Sequence, residues 1–199
     1  MDNQPETLTP EESLQVIRSM IEQAKTTVAD NSFYFLLWGW LVFIGAVGQY
    51  TLKVIVRTDR HPMVWWIMFV GIIGSAIYGR RERRKRPVKT YVDEGLRNIW
   101  SAIGIVQVLI VFIFFRRNDW EHCYTIFILT YSIGCYLTGR LLRFPVLVRG
   151  AIFCWVLAIA TTYVDYDTNV LLLAAAVLGS YIIPGYLLRA KYKHQLVKN

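Results

Sequence analysis

The sequence predicts an all-α polytopic membrane protein, with six transmembrane helices arranged as three hairpins behind a short amphipathic cytoplasmic helix. Three observations carry that expectation. Hydrophobic residues make up 55% of the 199 residues, and they come in unbroken runs rather than at the helical or strand spacing of a soluble fold. Charged residues make up only 18% and gather between the runs. The densest basic stretch, Arg80 to Lys89, lies between two of the runs and holds seven basic residues and one acid. A basic loop of that density is expected to stay cytoplasmic and to orient the spans around it.

The cytoplasmic N-terminal segment is placed at residues 1–32. It is polar and net acidic and lacks the charged start and apolar core of a cleaved secretory signal, so the first span is expected to be an uncleaved anchor. Thr9-Pro10-Glu11-Glu12 reads as a helix start, with Thr9 able to cap, Pro10 at the first helical position and Glu12 where a capping-box acid reaches back. Beyond it, Leu14, Ile17, Ile21, Ala24 and Val28 recur at alternating intervals of three and four, which draws one narrow apolar stripe. The opposite face carries more acids than bases. Such a helix suits the protein's own base, a partner protein or a second copy of the chain better than an anionic lipid surface.

The transmembrane domain is placed at residues 33–188. The first span is expected from Phe33 to about Val56, with Trp38 and Trp40 as interfacial anchors and Lys53 able to snorkel. Pro62 opens the second, Met63 to Gly79. Thr90 and Asp93 can cap a helix that enters the membrane near Ile99 and leaves after Phe115. The fourth span is read from Cys123 to Gly139, the fifth from Val146 to Val164, and the sixth from Asn169 to Leu188 with Pro184 in its last turns. Each run is long enough to cross about 30 Å of hydrocarbon at about 1.5 Å per residue, the second and fourth being short. A basic tail is placed at 189–199. With both termini cytoplasmic, seventeen basic residues fall inside and five outside, although the flanks of the first span taken alone point the other way.

The even spans end in related sequences: Gly74-Ser75 with Tyr78-Gly79-Arg80, Gly134-Cys135 with Gly139-Arg140, and Gly179-Ser180 with Gly185 and Arg189. The odd spans echo one another more faintly around Trp40, Trp100 and Trp155. Three hairpins of like orientation, a parallel repeat, would produce this pattern, and so would the ordinary preference of membrane helix ends for Gly, Tyr and Arg.

The residues restrict the chemistry. No span carries Asp, Glu, Lys, Arg or His at mid-depth, where ion-coupled carriers and proton pathways place ionisable groups. The deepest polar residues are Gln49 and Gln107, which can contact a neutral solute or hydrogen-bond between helices. Asp59, His61, Asp119, Glu121, His122, Asp165 and Asp167 gather on the expected outer face without metal-ligand spacing, so no metal and no cofactor is expected. Cys123, Cys135 and Cys154 form no CxxC and read as free thiols. Arg80, Arg81, Arg83, Arg84, Lys85, Arg86 and Lys89 have no interleaved aromatics, which points to anionic lipid rather than nucleic acid. Signatures of metalloproteases, serine hydrolases and phosphate-binding loops are absent from the sequence, so an enzyme is not expected.

The stretch Phe33-Tyr34-Phe35-Leu36-Leu37-Trp38-Gly39-Trp40-Leu41-Val42-Phe43, behind an amphipathic helix, resembles a group of uncharacterised multi-span membrane proteins of Bacteroidetes-type bacteria. The resemblance extends over most of the chain. It implies a bacterial inner-membrane location and brings no activity or site residues with it. The functional expectation is a scaffold or regulatory component that uses its cytoplasmic helix for partner or self association. The alternative is a transporter or channel for a neutral or lipid-like solute.

Overall fold

The computed structural model describes residues 9, 32–85, 91–117, 120 and 122–197, with the backbone alone at 82–85, 91 and 191–197. The expected amphipathic helix and its stripe, Leu14 to Val28, lie outside the described residues, as do Arg86 and Lys89. Among the described residues every regular element is helical. Five helices are long and apolar enough to cross a membrane: Ser32–Ile55, His61–Arg81, Val92–Arg117, Pro145–Tyr163 and Tyr166–Ala190.

The first helix, α1 (Ser32–Ile55), ends in a widened π turn at Thr51–Ile55. Arg57 stops it in the left-handed region at φ 55°. A 3₁₀ segment, His61–Trp66, has Pro62 in its first turn, where the missing N–H is not needed. It leads into α2 (Ile67–Lys85). That helix continues past the expected boundary at Gly79, so Arg80 to Lys85 stand on a helix rather than in a loop. Arginine, glutamate and lysine are strong helix formers, and a helix already nucleated in the apolar run propagates through them.

Helix α3 (Tyr91–Arg117) has Asp93 and Glu94 in its first turn and Arg116 and Arg117 in its last, a charge order that complements the helix dipole at both ends. Helix α4 (Cys123–Leu141) is as long as the shorter spans but more polar, and it falls outside the five apolar helices above. Its position accounts for this. It packs along α3, α5 and α6, and Tyr124, Ser132, Cys135 and Thr138 are buried in those contacts, so little of it needs to be apolar for lipid.

Helix α4 ends with Phe144 N–H donating to Gly139 O at 2.8 Å and Leu142 N–H to Thr138 O at 2.9 Å. Arg143 holds the left-handed position between them at φ 50°, where glycine is the usual occupant. Pro145 then starts α5 (Pro145–Ala160). The closeness of this turn is enforced along the helices: a Cβ on Gly139 would stand 2.9 Å from both Leu147 Cβ and Val148 N.

The last apolar run is one path in three parts, α6 (Tyr166–Val177), a π segment at Leu178–Ile182, and α7 (Ile183–Val197). Pro184 accounts for the middle part, because it has no N–H for the carbonyl four residues back and its ring crowds that carbonyl. The carbonyl concerned, Ser180 O, accepts Cys135 Sγ of α4 at 3.7 Å. The expected basic tail continues as helix to Val197.

The core lies among α1, α4, α5 and the α6–α7 path, around Ala46, Ile128, Cys135, Leu147, Ala151, Leu173 and Leu188. Glycines bring the helices into register. A Cβ on Gly150 of α5 would meet Gly179 O at 2.9 Å and Ser180 Cα at 3.0 Å. The first two hairpins share one packing device. Trp38 and Leu41 of α1 close over Gly71 of α2, and Trp100 and Ile103 of α3 close over Gly134 of α4. In the third hairpin Phe153 stands over Gly179. This matches Gly71, rather than Gly74, with Gly134, about one turn from the register suggested by the sequence.

Candidate functional site

One group of interior polar side chains meets at one end of the bundle. Gln49 of α1 is 2% exposed. Its Oε1 accepts from Trp65 Nε1 at 2.5 Å and from the Tyr124 hydroxyl at 2.6 Å. Its Nε2 donates to the Tyr166 hydroxyl at 3.1 Å, and the two tyrosine hydroxyls are 3.2 Å apart. Four segments converge on one carboxamide: α1, the 3₁₀ entry to α2, the first turn of α4 and the first residue of α6.

The local sequence explains why these side chains arrive together. Tyr124 and Tyr166 stand at helix starts and Trp65 in a 3₁₀ entry, so all three occupy the same end of antiparallel helices, where aromatic residues with one polar atom are favoured. Gln49 has no ionisable group, and its carboxamide uses three of its four hydrogen-bonding positions here.

Lys53, one turn further along α1, caps the cluster. Its Nζ lies 2.5 Å from Asp167 Oδ1, with both side chains about one third exposed, and 4.2 Å from the centre of the Tyr166 ring. The ammonium therefore has a carboxylate on one side and an aromatic face on the other. Asp167 is in the first turn of α6, where the helix dipole favours a negative charge.

Gln107 contrasts with Gln49. It lies on α3 with the buried residues Leu96, Ile103 and Ile110, at helical spacing along one face. Its amide nitrogen and oxygen are both buried, and neither has a hydrogen-bond partner among the described residues. Elsewhere in the bundle Tyr181 packs against Phe35 at 5.3 Å, Trp100 at 5.8 Å and Tyr131 at 5.6 Å between ring centres.

Of the other expected contacts, Arg80 and Arg81 are exposed near the far end of α2. The side chains of Arg83, Arg84 and Lys85 lie outside the described residues. Asp59, His61, His122, Asp165 and Asp167 form no group of three able to hold a metal, among the described residues. All three cysteines are buried and unpaired with one another.

The clasp around Gln49 was not visible as a unit in the sequence. Lys53 read as a snorkelling residue and Asp167 as one of the acids on the expected outer face. The partners are separated by 16, 75 and 117 positions from Gln49, and no spacing rule reaches that far. The available signal was the repeated placement of Trp and Tyr at the same end of successive runs. Compared with protein-family models, characterised proteins and solved structures, the chain matches none, so its assignment rests on its own helices.

Proposed function

We propose that the chain is a six-span integral protein of a bacterial inner membrane, with both termini cytoplasmic, and that it serves as a non-enzymatic scaffold or regulatory component. Helix α4 is counted as the sixth span: its nineteen residues reach about 28 Å at about 1.5 Å per residue, and its neighbours shield its polar positions. The orientation rests on the basic excess and fails if a C-terminal reporter is found on the outer side.

The observation that carries the functional reading is the closure of the Gln49 clasp. The carboxamide is taken up in tying four segments together, as polar groups in membrane bundles commonly are. What remains for interaction is the outside of the bundle, above all the N-terminal stripe of Leu14, Ile17, Ile21, Ala24 and Val28. That stripe is assigned to a protein partner or a second copy of the chain. The test is deletion of residues 1–30 in the otherwise intact protein. Loss of a co-purifying protein or a change in oligomeric state is expected, and no change in either would sink the reading.

A second reading is favoured by Gln107, whose buried amide, without a partner among the described residues, is the kind of group a neutral solute would satisfy. In that reading the protein is a transporter or channel for a neutral or lipid-like molecule. It falls if flux of neutral solutes into proteoliposomes is the same with and without the protein.

A further inference from the structure

The path from α6 to α7 changes its backbone bonding at the π segment Leu178–Ile182. Ile183 N–H donates to Leu178 O, five residues back, and Pro184 has no N–H to give. The carbonyls of Gly179 and Ser180 therefore lose the donors that an α-helix would supply four residues on. Inside a membrane bundle such groups must be met by the rest of the protein.

The groups that meet them come from α4 and α5, and they are weak. Ser180 O accepts the Cys135 thiol of α4 at 3.7 Å. One turn earlier, Ala176 O accepts the Cys154 thiol of α5 at 3.5 Å and the Ser180 hydroxyl at 2.7 Å. Gly179 O lies where a Cβ on Gly150 of α5 would stand 2.9 Å away, so α5 approaches it with bare backbone. Both thiols are buried in the core, and a thiol is a weaker donor than a hydroxyl or an amide.

The two sides of the break are anchored unequally. On the α6 side, Val170, Leu173, Ala174, Ala176 and Val177 are all in the core. On the α7 side, Ile183, Tyr186 and Leu187 are exposed. Leu188 reaches the core, Gly185 packs against Leu36 of α1, and Trp40 Nε1 donates to the Tyr186 hydroxyl at 3.3 Å in an exposed bond. A π segment beside a proline concentrates bending at one place, because fewer backbone bonds resist it there. We propose that Leu178–Ile182 is a hinge about which α7 moves while α6 stays fixed in the core, and that the thiols of Cys135 and Cys154 are its latch. The hinge goes beyond the scaffold role and is independent of it.

The test follows amide hydrogen exchange by mass spectrometry in the full-length protein in micelles, comparing α7 at 183–190 with α6 at 166–177. Faster exchange in α7 is expected in the wild type. The C135A/C154A variant should raise α7 exchange roughly 7-fold, as the loss of two hydrogen bonds of membrane-bundle strength implies, and leave α6 unchanged. The C135S/C154S variant keeps a donor at both positions and should exchange like the wild type. C123A, which removes the buried thiol at the start of α4, should alter neither helix. P184A restores an N–H for Ser180 O and should slow exchange in α7. Equal exchange of the two helices in the wild type, a rise shared by α6 in C135A/C154A, or serine variants that exchange like the alanine ones would each overturn the proposal. If C135A/C154A fails to fold, P184A decides the matter, and α7 exchange at or above the wild-type rate in that variant overturns the hinge.

Discussion

The α6–α7 path and the α2/α3 pair are similarly apolar but differ sharply in burial. In the most apolar stretch of α6–α7, 56% of residues are buried by the rest of the protein, against 6% in α2 and 6% in α3. Apolarity by itself takes a helix into lipid without giving it a protein neighbour, because lipid tails are as apolar as leucine side chains. The additional features of the buried path are specific. It has small residues where another backbone approaches, as at Gly179, and polar atoms with partners, as at Ser180 and Tyr166. On α3, a Cβ added to Gly104 would meet nothing within 4 Å.

This difference is broken most severely at the glycines. Gly150→Ala places a methyl group against the backbone of Gly179 and Ser180, which cannot swing aside as a flexible side chain can. A loss of about 3 kcal/mol is expected, read as a large drop in thermal stability in micelles. Gly104→Ala, the same change on the peripheral helix, is expected to stabilise by about 0.5–1 kcal/mol through helix propensity alone. Equal effects at the two positions would show that α3 is as tightly packed as the core.

The glutamines give the next largest contrast. Gln49→Leu strands the Trp65 indole and leaves the two phenol hydroxyls only each other, at an expected cost of about 2 kcal/mol. Gln107→Leu removes a carboxamide that has no partner among the described residues and is expected to be neutral or stabilising by up to about 1 kcal/mol. Thermal unfolding of both variants measures the comparison, and a destabilised Gln107→Leu would reveal a partner that only the membrane supplies. The smallest effect is expected at the rim. Asp167→Asn removes an ion pair that is about one third exposed, at a cost of a few tenths of a kcal/mol that shrinks further in high salt. A loss above about 1 kcal/mol would mean that the Lys53–Asp167–Tyr166 arrangement is shielded from water.

Much of the helical layout was legible from patterning. The starts expected at Phe33, Cys123, Val146 and Asn169 and the Pro62 entry all lie within a few residues of the structure, because chain-breaking residues and unbroken apolar runs are local properties. Other features were not. The continuation of α2 through Arg80–Lys85 depends on propagation of a helix beyond its apolar part, which hydropathy does not report. The π segment before Pro184 depends on how the freed Ser180 carbonyl is satisfied, and its partner, Cys135, belongs to another helix.

The sequence by itself determined that the chain is helical, that its apolar runs are of membrane-spanning length and that its positive charge is concentrated between two of them. Each of these follows from composition within a short window. Tertiary structure decided which helices face protein and which face outward, since Leu173 and Leu109 are chemically alike and only their neighbours differ. It also decided that Gln49 is enclosed by an indole and two phenols while Gln107 has no partner among the described residues. A carboxamide carries the same hydrogen-bonding capacity in both places, and the atoms that meet it come from segments far away in the chain.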